Sequence, residues 1–208
     1  MDITSLGHSS FRIHGKGATV VTDPFDSEFT GLKFPKHITA DIVTVSHAHK
    51  DHNAVSQIEG NPFIVAGPGE YEIKGVGIVG IASHHDTEKK ESNTIYRIEM
   101  EDLSIVHLGD LGRMLTTDEE DELDGVDILM IPVGGTYTID ATLATKLVSE
   151  INPSIIIPMH YLRPEIKFDL APVSAFLKEM GQETVTAQLK LSIAKSKLPE
   201  QKQIIVLE

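Results

Sequence analysis

The stretch Ile42-Val43-Thr44-Val45-Ser46-His47-Ala48-His49-Lys50-Asp51-His52 decides how the rest of the chain is read. Its first half, Ile42 to Ser46, is a β-branched run of the kind that forms a strand. His47 and His49 follow two residues apart, a spacing that on an extended chain turns both rings to one side and makes a chelating pair. Asp51 and His52 stand where the chain is expected to enter a short helix, Asp51 to Ile58, so their side chains approach the same space from a second direction. Imidazole and carboxylate together suit zinc or a similar divalent ion. The 208 residues contain no cysteine, so there is no thiolate nucleophile, no disulfide framework and no Cys-type zinc site.

Working outward, short β-branched runs alternate with Gly, Pro, Asn and Asp punctuation, which predicts strands joined by tight loops. The expected strands are Ile3 to Leu6, Ser10 to Ile13, Ala18 to Thr22, Ile42 to Ser46, Pro62 to Ala66, Glu70 to Ile73, Val76 to Ala82, Thr94 to Met100 and Ser104 to His107. Two near-continuous apolar runs, Asp127 to Val133 and Ser154 to Met159, read as strands buried on both faces of a sheet. A last strand is expected over Gln203 to Leu207. Besides Asp51 to Ile58, helices are expected at Thr117 to Leu123, at Asp140 to Ile151 and at Pro172 to Met180. In the second of these, Leu143, Leu147, Val148 and Ile151 recur at helical spacing. This pattern predicts an α/β protein of two packed sheets flanked by helices, with residues 1–208 forming one domain. No leader-like segment opens the sequence and no run approaches membrane-span length, so a cytoplasmic location is expected.

The formal net charge of −13 argues against an extended nucleic-acid surface, because such affinity rests on Lys and Arg. Part of that excess, Asp118-Glu119-Glu120-Asp121-Glu122-Leu123-Asp124, lacks the alternating ligands and central Gly of a calcium loop and reads as an acidic helix start facing water. Gly75-Val76-Gly77-Ile78-Val79-Gly80 matches the letter of the dinucleotide fingerprint. It runs on into a strand where that fingerprint needs a helix, so it reads as a hairpin turn with a close sheet approach. There is no Walker A loop and no G-x-S-x-G elbow.

Three later positions close apolar strands and are candidates for the same site: His85 in Ile81-Ala82-Ser83-His84-His85-Asp86, Asp110 in Val106-His107-Leu108-Gly109-Asp110, and His160 in Ile157-Pro158-Met159-His160-Tyr161. With them the chain resembles the metallo-β-lactamase superfamily, whose pattern is HxHxDH followed by His, Asp and His at strand ends. It looks closest to the compact branch of zinc-dependent, lactonase-like hydrolases. Gly7-His8-Ser9-Ser10, Thr22-Asp23-Pro24 and Gly67-Pro68-Gly69-Glu70-Tyr71-Glu72 extend the likeness over essentially the whole chain.

The resemblance implies a four-layer αββα sandwich with two metal ions at one edge. His47, His49 and His85 would hold one ion, Asp51, His52 and His160 the other, and Asp110 would bridge them. Zinc is the expected metal, with Mn2+ or Fe2+ as alternatives. His84 and His85 point to opposite faces of a strand, and periodicity leaves both open; the family pattern favours His85. His8 and His107 are candidates for orienting a ligand, whereas His14 and His37 read as ordinary histidines. Related diiron oxygen reductases carry a carboxylate where His49 stands here, which favours hydrolysis over redox chemistry.

The expected chemistry is attack by a metal-bridging hydroxide on an ester, lactone or phosphodiester in a small substrate, with Asp51 orienting the nucleophile. Tyr137, Tyr161 and Arg163, on strand-end loops, are the expected substrate contacts. The same fold hosts thioesterases, β-lactamases and ribonucleases, and a metal-binding sensor or scaffold is the reading of another class. The oligomeric state is not legible.

Overall fold

The computed structural model describes residues 1–85, 91–182 and 184–208. Asp86, which follows the candidate ligand His85, lies outside the described residues. The chain opens with β1 (Asp2–Gly7), β2 (Ser10–His14), β3 (Thr19–Thr22), α1 (Ser27–Thr30), β4 (Ile42–Val45) and β5 (Phe63–Ala66). It continues with β6 (Gly69–Ile73), β7 (Val76–His84), β8 (Ser92–Met100), β9 (Leu103–His107), α2 (Thr117–Glu122), β10 (Ile128–Pro132) and α3 (Ala141–Ile151). The last elements are β11 (Ile155–Met159), α4 (Val173–Glu179), β12 (Leu191–Ser192) and β13 (Gln203–Ile204).

These strands form two sheets. The first runs β12-β1-β2-β3-β4-β5 and the second β13-β11-β10-β9-β8-β7-β6. Their facing sides share one core in which Ile13, Val20 and Ile42 of the first sheet meet Ile98, Ile105, Met130 and Ile157 of the second. The apolar runs alternate as a strand must. Ile128 and Met130 face the other sheet, while Leu129 and Ile131 face outward to Leu147, Phe176 and Leu177 of α3 and α4. Burial on both faces explains why β10 and β11 are apolar throughout. Over the outer side of the first sheet, Val21, Val43 and Val45 are covered by Phe25, Leu32, Phe34 and Ile58. The fold is therefore the expected α/β sandwich, with a fourth layer made mostly of loop around the single turn α1.

Strand direction brings the chemistry to one edge. β3, β4 and β5 are mutually parallel, as are β9, β10, β11 and β13. β7 is antiparallel to β8, and β8 to β9, so β7 runs the same way as β9. The loops that follow β3, β4, β7, β9 and β11 therefore open at the carboxyl ends of their strands, where α/β sheets place ligands.

Two expectations need correction. Asp51 to Ile58 is not an α-helix; it is a turn followed by a single 3-10 turn at Val55–Gln57. His52 and Asn53 donate back to His49 O at 2.9 and 3.0 Å, but Ala54 N–H then goes to Pro24 O at 2.7 Å, and Lys50 O accepts from Asp26 N–H at 2.9 Å. The groups a helix would use are bonded to the segment after β3. The C-terminal strand also stops at Ile204, although Ile205 N–H still reaches Ile156 O at 2.8 Å and Leu207 bridges Gln188.

Gly75 sits in a two-residue hairpin with Lys74 between β6 and β7, both with positive φ, as primed turns require. A Cβ on Gly80 would lie 2.7 Å from Gly67 O, so the close approach is real. In α2, Thr116 and Glu119 form a capping box, and Asp118, Asp121 and Glu122 face water. Glu119 is the exception, buried against Arg113 at 2.6 Å.

Candidate metal centre

β4 ends at Val45, so His47 and His49 lie on the loop beyond it. Their rings still meet, with His47 Nε2 3.0 Å from His49 Nδ1. Asp51 and His52 come back over them on the turn. β7 delivers His85 buried and His84 exposed. Asp110, 2 % exposed, enters from the loop after β9, and His160 enters directly after β11.

Asp110 is the centre of the cluster. His52 Nε2 lies 3.2 Å from its Oδ1, and His85, His160 and His47 Nε2 lie 3.4, 3.3 and 3.9 Å from its Oδ2. Two of the groups that could hold a metal ion are His47–His49–His85 and His8–Asp51–His52–His160, each with donor atoms within 4.8 Å of one another. A third, His47–His52–Asp110, joins them. His52 Nε2 and Asp110 Oδ1 are buried and make no hydrogen bond. Buried polar atoms without partners are costly, and an N/O donor set converging on unpaired atoms fits a divalent ion such as zinc.

A hydrogen-bond network fixes which nitrogens face the cluster. His52 Nδ1–H donates to Asp23 Oδ2 at 2.8 Å. Ser46 Oγ–H donates to the same oxygen at 2.5 Å and in turn accepts from His47 Nδ1–H at 2.9 Å. Asp23, fully buried at the end of β3 with a left-handed φ of 38°, thus holds both rings with Nε2 directed at Asp110. Burial alone would raise the Asp23 carboxyl, but His107 and His52 outweigh it and hold it below its ordinary value. Burial, reinforced by His52, holds His47 down at about 3, leaving its ring neutral and its lone pair available at neutral pH. Burial opposes charge on His52 as well, yet Asp110 and Asp23 raise it well above the ordinary range. The field that draws a proton to His52 is the field that would draw a cation.

His8 Nε2 lies 3.3 Å from Asp51 Oδ2, and its ring is 4.3 Å from that of His160. His107 does not reach the cluster. It donates to Ser9 O at 2.8 Å, and its Nδ1 accepts from Gly109 N–H at 3.1 Å, shaping the loop that carries Asp110. Asn93 clamps the same loop, accepting from Asp110 N–H at 3.1 Å and donating to Leu108 O at 2.9 Å. A Cβ on Gly109 would stand 2.2 Å from Asn93 Oδ1, so this tight loop requires glycine. His14 and His37 lie elsewhere, against Thr19 and Glu59 at 2.8 Å each.

The cluster forms the floor of a cavity of about 660 Å³, reached by His49, Asp51, His85, Asp110 and His160 and walled by Phe29, Tyr137 and Phe168. Of the three expected substrate contacts, Tyr137 lines it. Tyr161 is packed into the core under the helices, and Arg163 donates to Tyr161 Oη and Leu207 O at 3.3 and 2.9 Å. Neither lines the cavity. Nothing in the spacing of the sequence marks the roles of Asp23, Ser46, Asn93, Phe29 and Phe168 in the site, since a lone Asp, Ser, Asn or Phe belongs to no repeated pattern. The one available signal was Asp23-Pro24 closing a strand.

The family model for the beta-lactamase superfamily domain matches residues 2–160. Among curated proteins, the chain is 28% identical over 87% of its length to a UPF0173 metal-dependent hydrolase of Methanopyrus kandleri, covering 93% of that protein. It is 30% identical over 75% of its length to another from Thermococcus onnurineus, covering 82% of it. Among solved structures, one from Thermotoga maritima, assigned to the Zn-dependent hydrolases of the metallo-beta-lactamase superfamily, superposes with a TM-score of 0.82 at 36% identity, over 99% of this chain and 97% of that one. A metallo hydrolase from Ignicoccus hospitalis shares the fold at a TM-score of 0.67 and 23% identity, over 92% of this chain and 98% of its own.

Proposed function

Because the chain belongs to the beta-lactamase superfamily and is a metal-dependent hydrolase of it, we propose that it uses two zinc ions to cleave an ester, lactone or phosphodiester in a small substrate. In this reading His47, His49 and His85 would hold one ion, Asp51, His52 and His160 would hold the other, and Asp110 would serve both. The observation that carries it is the convergence of four imidazoles on Asp110 with His52 Nε2 and Asp110 Oδ1 unpaired, at the floor of an open cavity. Divalent ions bound there would supply Lewis acidity and a water ionising near neutral pH.

The protein's own groups have separate duties. Asp51, whose Oδ2 accepts from His8, orients the attacking water. Burial would raise its carboxyl, but His8 and His52 lower it below the ordinary range, so it stays an acceptor at neutral pH. Asp23 keeps His47 and His52 in the tautomer that presents Nε2. His49, exposed toward the cavity, stands where substrate meets the cluster. The cavity walls exclude bulk water from one side of the scissile bond.

The test is Asp51→Ala against a panel of simple esters, lactones and phosphodiesters, with zinc and with manganese. Loss of about a hundredfold or more in kcat/KM with the fold retained is expected. Unchanged hydrolysis would remove Asp51 from the mechanism. Full metal loading with no turnover by the unaltered protein would favour a sensor or scaffold.

A further inference from the structure

Phe29 and Tyr137 are 43% and 49% exposed, two of six large hydrophobic residues left open to water among the described residues. Both line the cavity above the His/Asp cluster. Phe168 lies between them, its ring centroid 5.5 Å from Phe29 and 6.3 Å from Tyr137, each pair edge to face. It also lies 5.7 Å from His8, so the aromatic wall runs down to the cluster. Solvent-facing aromatics gathered beside convergent polar groups are the signature of a ligand wall rather than of leftover surface.

The wall is tied to the cluster by backbone hydrogen bonds. Asp26, which caps α1, donates from its N–H to Lys50 O at 2.9 Å, fixing Phe29 to the loop that carries His49 and Asp51. Lys167 N–H reaches Thr30 O at 2.9 Å, tying the segment beside Phe168 to the same helix. Ile139 N–H reaches Leu111 O at 2.9 Å, tying the Tyr137 turn to the loop of Asp110. Three aromatics from three segments thus hold a set position relative to the cluster.

We propose that the substrate carries an apolar group of aryl size next to the bond that is cleaved, and that this group packs against Phe29 and Tyr137 while the scissile centre sits at the His/Asp cluster. The inference rests on the hydrolytic reading above. Its binding half can be measured without turnover.

Binding of phenylacetate and of acetate to zinc-loaded protein is measured by titration calorimetry, for the unaltered chain and for Phe29→Ala and Tyr137→Ala. Phe63→Ala, exposed on the β5 edge away from the cavity, serves as control. Phenylacetate is expected to bind at least about tenfold more tightly than acetate. That ratio should fall toward one in Phe29→Ala and Tyr137→Ala and stay as it was in Phe63→Ala, with metal content and melting temperature checked in all. In parallel, kcat/KM is compared within two pairs, methyl phenylacetate with methyl acetate and methyl phenyl phosphate with dimethyl phosphate. A preference for the phenyl member, carried in KM and lost in the same two variants, supports the wall and tells carbonyl from phosphoryl chemistry. Equal binding of phenylacetate and acetate, or a ratio that survives both variants, overturns it. Phenyl-selective binding with no hydrolysis of any ester would leave the wall standing and sink the hydrolytic reading instead.

Discussion

Asp110 and Asp127 are both buried aspartates flanking two neighbouring parallel strands, β9 and β10, at opposite ends. Asp127, 6% exposed, precedes β10; Asp110, 2% exposed, follows β9. Asp127 is complete within the protein. Its Oδ2 accepts Ser104 N–H at 2.9 Å, and Lys195 Nζ lies 2.8 Å from both carboxylate oxygens. Asp110 faces four imidazoles and keeps one oxygen unpaired. A buried carboxylate paired with its own ammonium is satisfied within the protein, whereas one that gathers imidazoles and still leaves an oxygen unpaired is suited to a cation from outside. The amino ends of the strands carry a self-contained ion pair, and the carboxyl ends carry the cluster proposed to do the chemistry.

The sharpest way to break this contrast is to neutralise each aspartate in turn. Asp110→Asn should lower bound metal by at least one ion per chain and reduce hydrolysis by about a hundredfold or more, measured by elemental analysis and kcat/KM. If the variant kept its metal and rate, the two ends would not differ in kind.

How much of this was legible beforehand follows from the same contrast. The ligand candidates show in sequence because chelation needs several residues of rare type at fixed spacing, as in His47, His49, Asp51 and His52. Sheet membership of β10 and β11 shows because burial on both faces leaves unbroken apolar runs. Asp23 and Asn93 carry no spacing that marks their roles, since each acts through hydrogen bonds made across the fold: Asp23 accepts three, from Ser46 and His52, and Asn93 makes two to the loop of Asp110. The Asp51 to Ile58 segment departs from a helix for a related reason: local pattern allows one, but the carbonyl of Pro24 takes the amide of Ala54. The aromatic wall is equally silent, because Phe29, Tyr137 and Phe168 come from three separate segments.

A smaller effect is expected at Asp23. Asp23→Asn keeps the size but weakens the acceptor that orients His47 and His52, and should reduce metal affinity about tenfold to a hundredfold, measured by competition with a chelator. An unchanged affinity would mean that the rings are held by packing alone.

The smallest change at the metal should come from the opposite end. Asp127→Ala strands Ser104 N–H and Lys195, and because Lys195 is half exposed, the cost should be about 1–3 kcal/mol of unfolding free energy in a denaturant titration. Metal content should not move. A loss of metal in Asp127→Ala would show that the two ends are coupled rather than divided in labour.

The most direct test of the central claim is the number of transition-metal ions per chain in the unaltered protein, counted by elemental analysis after loading with zinc. The account predicts about two ions per chain, released by chelation with a fall in melting temperature. A count well under one, with no thermal stabilisation by added zinc or manganese, would contradict it.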